Sequence, residues 1–254
     1  MEQKPEASGK KIFLLYPHSV IKDEMLDLLI MAGYETYTLL DREKARRLLA
    51  KFSGSIMFIN IDEGPNESEW EAYVKDIQNN SGTKNSRLGI MSYNQDMELM
   101  QKYLMDMAIP CGYVQLKLGM NESTRIILSV LEANEAKGRR NSIRATCEDD
   151  RNATMNYRLD PVFFHGKILD ISAAGVAARF NTLPNFPLNS MIRSVQLKLR
   201  GGIVMADMIF IGQRPNDRNV QILLFDPKIS TENKLSIHRY IKQCLQRYIN
   251  GLKV

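Results

Sequence analysis

Two short stretches of this chain carry side chains whose type and spacing suit molecular recognition. The first is Arg139-Arg140-Asn141-Ser142-Ile143-Arg144, in which Arg140 and Arg144 stand four residues apart. On a helix that spacing would place both guanidiniums on one face, where like charges repel, so the pair calls for an anion between them. The acidic run Glu148-Asp149-Asp150 is a local answer to the same charges. The second stretch is Asp170-Ile171-Ser172-Ala173-Ala174-Gly175, an aspartate and a serine ahead of a glycine. Such a pattern often makes nothing more than a side-chain-capped turn, and the residue types alone leave both uses open.

Other chemistries find less footing. There is no Gly-rich phosphate loop, no catalytic carboxylate pair in motif context and no nucleophile–histidine constellation, so a binding protein is expected rather than an enzyme, with no catalytic residues. The three cysteines (Cys111, Cys147, Cys244) lie far apart without metal-type spacing, and the three histidines are scattered. We therefore expect reduced thiols in a cytoplasmic protein, no metal site and no cofactor. No apolar run approaches the roughly 18–20 residues that span a bilayer, and the first ten residues are polar, unlike a secretory leader.

At 254 residues, 44% hydrophobic and 25% charged, the chain has the composition of a soluble protein long enough for two domains. Its charge is divided unevenly. Residues 1–137 hold 16 Lys and Arg against 20 Asp and Glu, a net −4, whereas residues 138–254 hold 18 against 9, a net +9. That shift marks a boundary near residue 138, separating domains at 10–137 and 138–254, and gives the second domain the attraction for anions.

In the first half, short apolar runs alternate with helical periodicity. Strands are predicted at Lys11–Tyr16, Tyr34–Leu40, Ser55–Asn60, Leu88–Ser92 and Gly112–Leu116. Helices are predicted from Ser19 (as cap) to Gly33, from Asp41 (as cap) to Phe52, and over Trp70–Gln78, Met97–Met107 and Asn121–Glu135. Ile126, Leu128 and Leu131 of the last helix should face inward, and Gly138 should stop it. Five strand–helix alternations argue for a doubly wound α/β sheet. This order resembles the receiver domain of response regulators over nearly all of residues 10–137. Ser92 and Lys117 fit that family's pattern. Pro17-His18, however, stand where acidic metal ligands belong, and Asn60 replaces the acceptor aspartate, with Asp62 two residues on. Phosphoryl transfer to a carboxylate needs a divalent cation, so the resemblance implies a degenerate receiver acting as scaffold or partner-binding surface, with phosphorylation of Asp62 as the sharper alternative.

Beyond the arginines, which should lie in an extended connector, the period becomes alternating. Strands are predicted at Tyr157–Leu159, Pro161–Ile171 with a turn at Gly166, Val176–Phe180, Met191–Leu199, Ile203–Ile211 and Val220–Phe225. Pro184 and Pro187 mark a loop, Arg200-Gly201-Gly202 a hairpin turn, and Gln213–Asp217 a polar turn. Closely spaced strands with turn chemistry between them argue for a small antiparallel barrel or sandwich, closed by a helix from Thr231 to Leu252.

Opening arginines, a strand ending in Asp-x-Ser-x-x-Gly, a barrel and a terminal helix in this order resemble the PilZ family of cyclic di-GMP receptors, over about residues 138–250. Arg140 and Arg144 match that family's arginine motif, and Asp170, Ser172 and Gly175 its second motif. The resemblance implies a β-barrel domain and a site for cyclic di-GMP at these five residues. Arg139 joins them because an arginine there is associated in the family with taking up a stacked ligand pair. Guanidiniums fork onto phosphate, bond guanine O6 and N7 or stack on the base, a carboxylate accepts from the guanine N–H groups, and glycine permits a positive-φ turn and close ligand approach. The implied function is a bacterial second-messenger effector that reorients its domains or engages a protein partner. The competing reading is a nucleic-acid-binding response regulator, which the net +9 suits, although no helix-turn-helix is evident.

Overall fold

The computed structural model describes residues 9–159, 161–180, 182 and 186–254; the opening polar residues and Pro184 lie outside them. The chain divides into two compact units, one running up to Asn141 and including Leu252–Val254, the other Ser142–Gly251.

The first unit is built on five parallel strands, β1 (Ile12–Leu15), β2 (Thr36–Leu39), β3 (Ile56–Asn60), β4 (Arg87–Ser92) and β5 (Tyr113–Gln115), in the order β2-β1-β3-β4-β5. That is the flavodoxin-like winding. Every residue of β1 and β3 is buried, as strands covered on both faces must be. The helices are α1 (Ser19–Met31), α2 (Arg42–Lys51), α3 (Glu67–Asn79), α4 (Met97–Gln101, continued by a π-helical turn over Lys102–Asp106) and α5 (Met120–Ala133). Ile12, Leu14, Ile56 and Phe58 form one core layer with Ile21, Met25 and Leu29 of α1 and Ile127 and Leu131 of α5. Each such aliphatic side chain contributes about 1.5–3 kcal/mol through its burial.

Several local expectations need correction. The cap of α1 is His18, whose ring accepts from the Val20 amide at 3.3 Å, and not Ser19. Helix α3 begins earlier than its apolar period implies, because Asn66 and Glu69 form a reciprocal capping box. In α5 it is Ile127, not Ile126, that is fully buried. That helix stops at Ala133, with Glu135 at φ 49°, ahead of Gly138.

The second unit contains β6 (Arg144–Thr146), β7 (Thr154–Leu159), β8 (Val162–Ser172), β9 (Gly175–Phe180), β10 (Met191–Leu199), β11 (Gly202–Arg214), β12 (Asp217–Phe225) and α6 (Thr231–Gly251). Six strands close an antiparallel barrel in the cycle β8-β7-β10-β11-β12-β9, the β8–β9 pairing making the seam, and β6 lies outside the cycle on β8. Gly166, expected as a turn, lies inside β8: the Phe180 ring packs over it so closely that a Cβ would meet ring carbons at 2.6 Å. The β11–β12 hairpin runs to Arg214 and Asp217, which pair across a two-residue turn, past the ends expected at Ile211 and Val220.

Helix α6 buries Ile237, Tyr240, Ile241, Cys244, Leu245 and Ile249 at helical spacing and packs on β6, β8 and β11. Its polar anchor is Asp150, only 7% exposed. The Asp150 carboxylate accepts from the Tyr240 hydroxyl at 2.9 Å, from Arg247 at 3.3 Å and from the Asn152 amide at 3.1 Å. Thus Asp150 serves α6 rather than answering the arginines ahead of it. Burial opposes ionisation of Asp150, but the Tyr240 hydroxyl, the Asn152 amide and Arg247 outweigh it and hold its pKa below the ordinary 3.8. A depressed carboxylate stabilises the fold above its ordinary pKa and loses that contribution as pH falls through the folded value. We expect Asp150→Asn to lower stability by about 1–3 kcal/mol at neutral pH. Denaturant titrations of both proteins should converge below about pH 3.8; a gap constant down to strongly acid pH would contradict a titrating anchor.

Candidate functional site

The three residues of β6 settle where Arg144 goes. Register pairs Arg144 with Ser172, Ala145 with Ile171 and Thr146 with Asp170, and the ladder continues through the Cys147 amide to the Leu169 carbonyl at 2.7 Å. Ala145 points into the core at 1% exposure while Arg144 and Thr146 are exposed. Directly opposed residues of an antiparallel pair project to the same face, and long side chains reach their diagonal neighbours. The exposed guanidinium of Arg144 therefore stands beside the Asp170–Ser172 stretch. Arg139 and Arg140 are exposed and fall within the first unit, ahead of the strand.

Within the Asp-x-Ser-x-x-Gly stretch the residues divide their labour. Ser172 is 8% exposed; its hydroxyl accepts from the Ala174 and Gly175 amides and donates to the Gly175 carbonyl, each at 3.3 Å. It caps the turn between β8 and β9, the bland use of the motif. Gly175 does not adopt a positive φ, contrary to expectation. It is required for another reason: a Cβ there would lie 2.1 Å from the Leu223 carbonyl oxygen and 2.8 Å from the Leu224 Cα. The glycine makes room for the neighbouring strand.

Asp170 is the member of the motif that carries a charge. Its side chain is 18% exposed and pairs with Arg214, itself 37% exposed. Arg214 was not singled out by sequence; its only signal is the Pro215-Asn216 dipeptide that makes the tight turn. Asp217, opposite Arg214 in the hairpin, bonds Arg179 at 2.8 Å instead, and that contact holds the Asp217 carboxyl below its usual range. Lys167 faces Arg179 across the seam and donates to the Glu148 carbonyl at 2.7 Å. Arg144, Lys167, Arg179 and Arg214 thus give this barrel surface four cations around two carboxylates.

In the first unit, the end of the sheet that suggested phosphoryl chemistry is tied up internally. The Asp62 carboxylate accepts from the Ser92 hydroxyl and, at 2.6 Å, from the Tyr93 amide. Asn60, fully buried, donates to the Tyr16 carbonyl at 3.0 Å and accepts from the Asp62 amide at 3.2 Å. Lys117 donates to Gln95 at 3.0 Å. Among the described residues no group of three or more His, Cys, Asp or Glu is arranged to hold a metal ion, and no helix is long and apolar enough to cross a membrane.

No family model and no curated protein matches the chain. Among solved structures, it is similar to the PilZ domain of YcgR from Escherichia coli with c-di-GMP (16% identity, 42% of this chain and 91% of that one, TM-score 0.35). It is also similar to the K. pneumonia MrkH–c-di-GMP complex (18% identity, 45% of this chain, TM-score 0.33), of which it spans only 54%. A third likeness is to the signal receiver domain of an HD domain-containing protein from Pseudomonas fluorescens (16% identity, 53% of this chain and 95% of that one, TM-score 0.41). At 16–18% identity these likenesses say nothing of ligand or partner.

Two outcomes follow from this geometry. Gly175→Ala should destabilise the barrel by about 1–3 kcal/mol or more through overpacking, read from a chemical denaturation midpoint; an unchanged midpoint would contradict the close approach of β12. Incubation with a low-molecular-weight phosphodonor and magnesium should leave the intact mass unchanged, since the Asp62 oxygens are held by Ser92 and Tyr93; a gain of one phosphoryl group on Asp62 would show that they let go.

Proposed function

We propose that this chain is a cyclic di-GMP-binding effector of the PilZ kind, with the ligand on the barrel unit and a degenerate receiver-like unit as scaffold. The observation that carries the proposal is the register of β6 on β8. It makes neighbours of an arginine and an Asp-x-Ser turn that lie far apart in sequence, at a surface dense in cations.

The chemistry suits a doubly charged purine dinucleotide. Arg144 supplies a guanidinium able to fork onto phosphate or bond a guanine edge, and Asp170 a carboxylate for the guanine N–H donors. Ser172 and Gly175 contribute by shaping the turn that presents Asp170, with direct contact to the ligand secondary. Arg139 and Arg140, in the stretch leading to β6, are proposed as further guanidiniums for the phosphates. The output is proposed to be a change in interdomain geometry or in affinity for a protein partner, in the cytoplasm, without catalysis.

Titration calorimetry on the full chain tests this. The unaltered protein should bind cyclic di-GMP at micromolar or tighter affinity. Arg144→Ala should lose about 2–3 kcal/mol, on the order of 30- to 150-fold. No heat from the unaltered protein, together with salt-dependent binding of arbitrary duplex DNA, would transfer the assignment to a nucleic-acid-binding regulator.

A further inference from the structure

We propose that Arg214 and Asp170 act together as a guanine-reading pair, with Arg214 setting the preference for guanine over adenine; the inference rests on the cyclic di-GMP reading above. The two side chains belong to β11 and β8, and in the barrel's cycle β12 and β9 lie between those strands. Their contact is therefore no ordinary cross-strand ladder pair. Arg214 has a carboxylate directly opposite it in its own hairpin, Asp217, but that group is engaged by Arg179. The arrangement of charges thus directs Arg214 onto Asp170, beside the exposed guanidinium of Arg144.

A carboxylate and a guanidinium side by side match one purine edge and mismatch the other. Guanine runs from donors (the N2 amino group and N1–H) to acceptors (O6 and N7). The carboxylate takes the donors while the guanidinium, with five N–H groups in a planar fork, donates to the acceptors without leaving the acid. Adenine presents an acceptor at N1 and a donor at N6, so the carboxylate faces a lone pair and the guanidinium an amino group. A site whose polar groups are left unpaired by the wrong base discriminates strongly against it. Lysine would keep the charge but lose the planar fork. Arg214 also fixes the Asp170 carboxylate in orientation, which lowers the ordering cost of binding.

The test uses the full chain, with cyclic di-GMP and cyclic di-AMP titrated into the unaltered protein, Arg214→Gln and Arg214→Lys, and thermal melting as a check on folding. Arg214→Gln should weaken cyclic di-GMP binding by about tenfold or more and narrow the guanine-to-adenine preference by a similar factor, with Arg214→Lys failing to restore it. A merely structural ion pair would move the melting temperature and leave that ratio alone. Unchanged or tighter cyclic di-GMP binding by Arg214→Gln, in a protein that otherwise binds it, overturns this inference and leaves the functional assignment standing. Absence of binding by the unaltered protein removes both.

Discussion

The Leu223 carbonyl lies where a side chain on residue 175 would have to be. This one exclusion closes the barrel. With glycine at the start of β9, that strand lies against β12 on one side and β8 on the other, and the cycle of six strands has no open edge there. The end of β8 is then fixed on its β9 side, and its turn, capped by the Ser172 hydroxyl, has one shape. The three-residue β6 docks on a template that the seam has already set, and Arg144 receives its place from that docking.

The surface around the seam is organised by who pairs with whom. Two carboxylates and several cations share a small area, and the partners are not nearest in register: Asp217 goes to Arg179 and Asp170 to Arg214. Half-exposed ion pairs of this type contribute little to stability, typically below about 1 kcal/mol. Their worth here is in orientation. A carboxylate held by a neighbouring guanidinium is charged and fixed in direction. The first unit uses a similar resource differently, because the exposed Asp62 carboxylate is held by the Ser92 hydroxyl at the end of β4 and by the Tyr93 amide that follows it.

How much of this was legible in the sequence depended on whether the determining contact was local. The alternation over Val195–Leu199 and the apolar runs of β1 and β3 reported their elements directly, because period and burial are written in neighbouring residues. Asp41 announced its helix in the same way, accepting from the Lys44 amide at 2.9 Å. Strand β6 was illegible: Arg-Ala-Thr has no β signature, and its conformation comes from pairing with residues 24 to 28 positions away in β8. Gly166 looked like a turn because its real reason, the ring of Phe180, is equally remote. The site motifs showed which residue types mattered and brought Arg144 and Asp170 to notice. They did not show that Ser172 and Gly175 serve the backbone, nor that Arg214 closes the charge arrangement, since the strand carrying it continues through a bulge at Gly212 that reads as a terminus.

Helix α6 rests on β6, and its Tyr240 and Arg247 grip Asp150 in the turn that follows that strand. An edge strand of three residues has little hold of its own, so its seating is shared between the seam on one flank and the last helix on the other. The final elements of the chain and the arginine at the head of β6 are in this way joined by a short mechanical linkage. The seating of the strand that carries Arg144 is thus shared with contacts made by α6, more than 80 residues further along the chain.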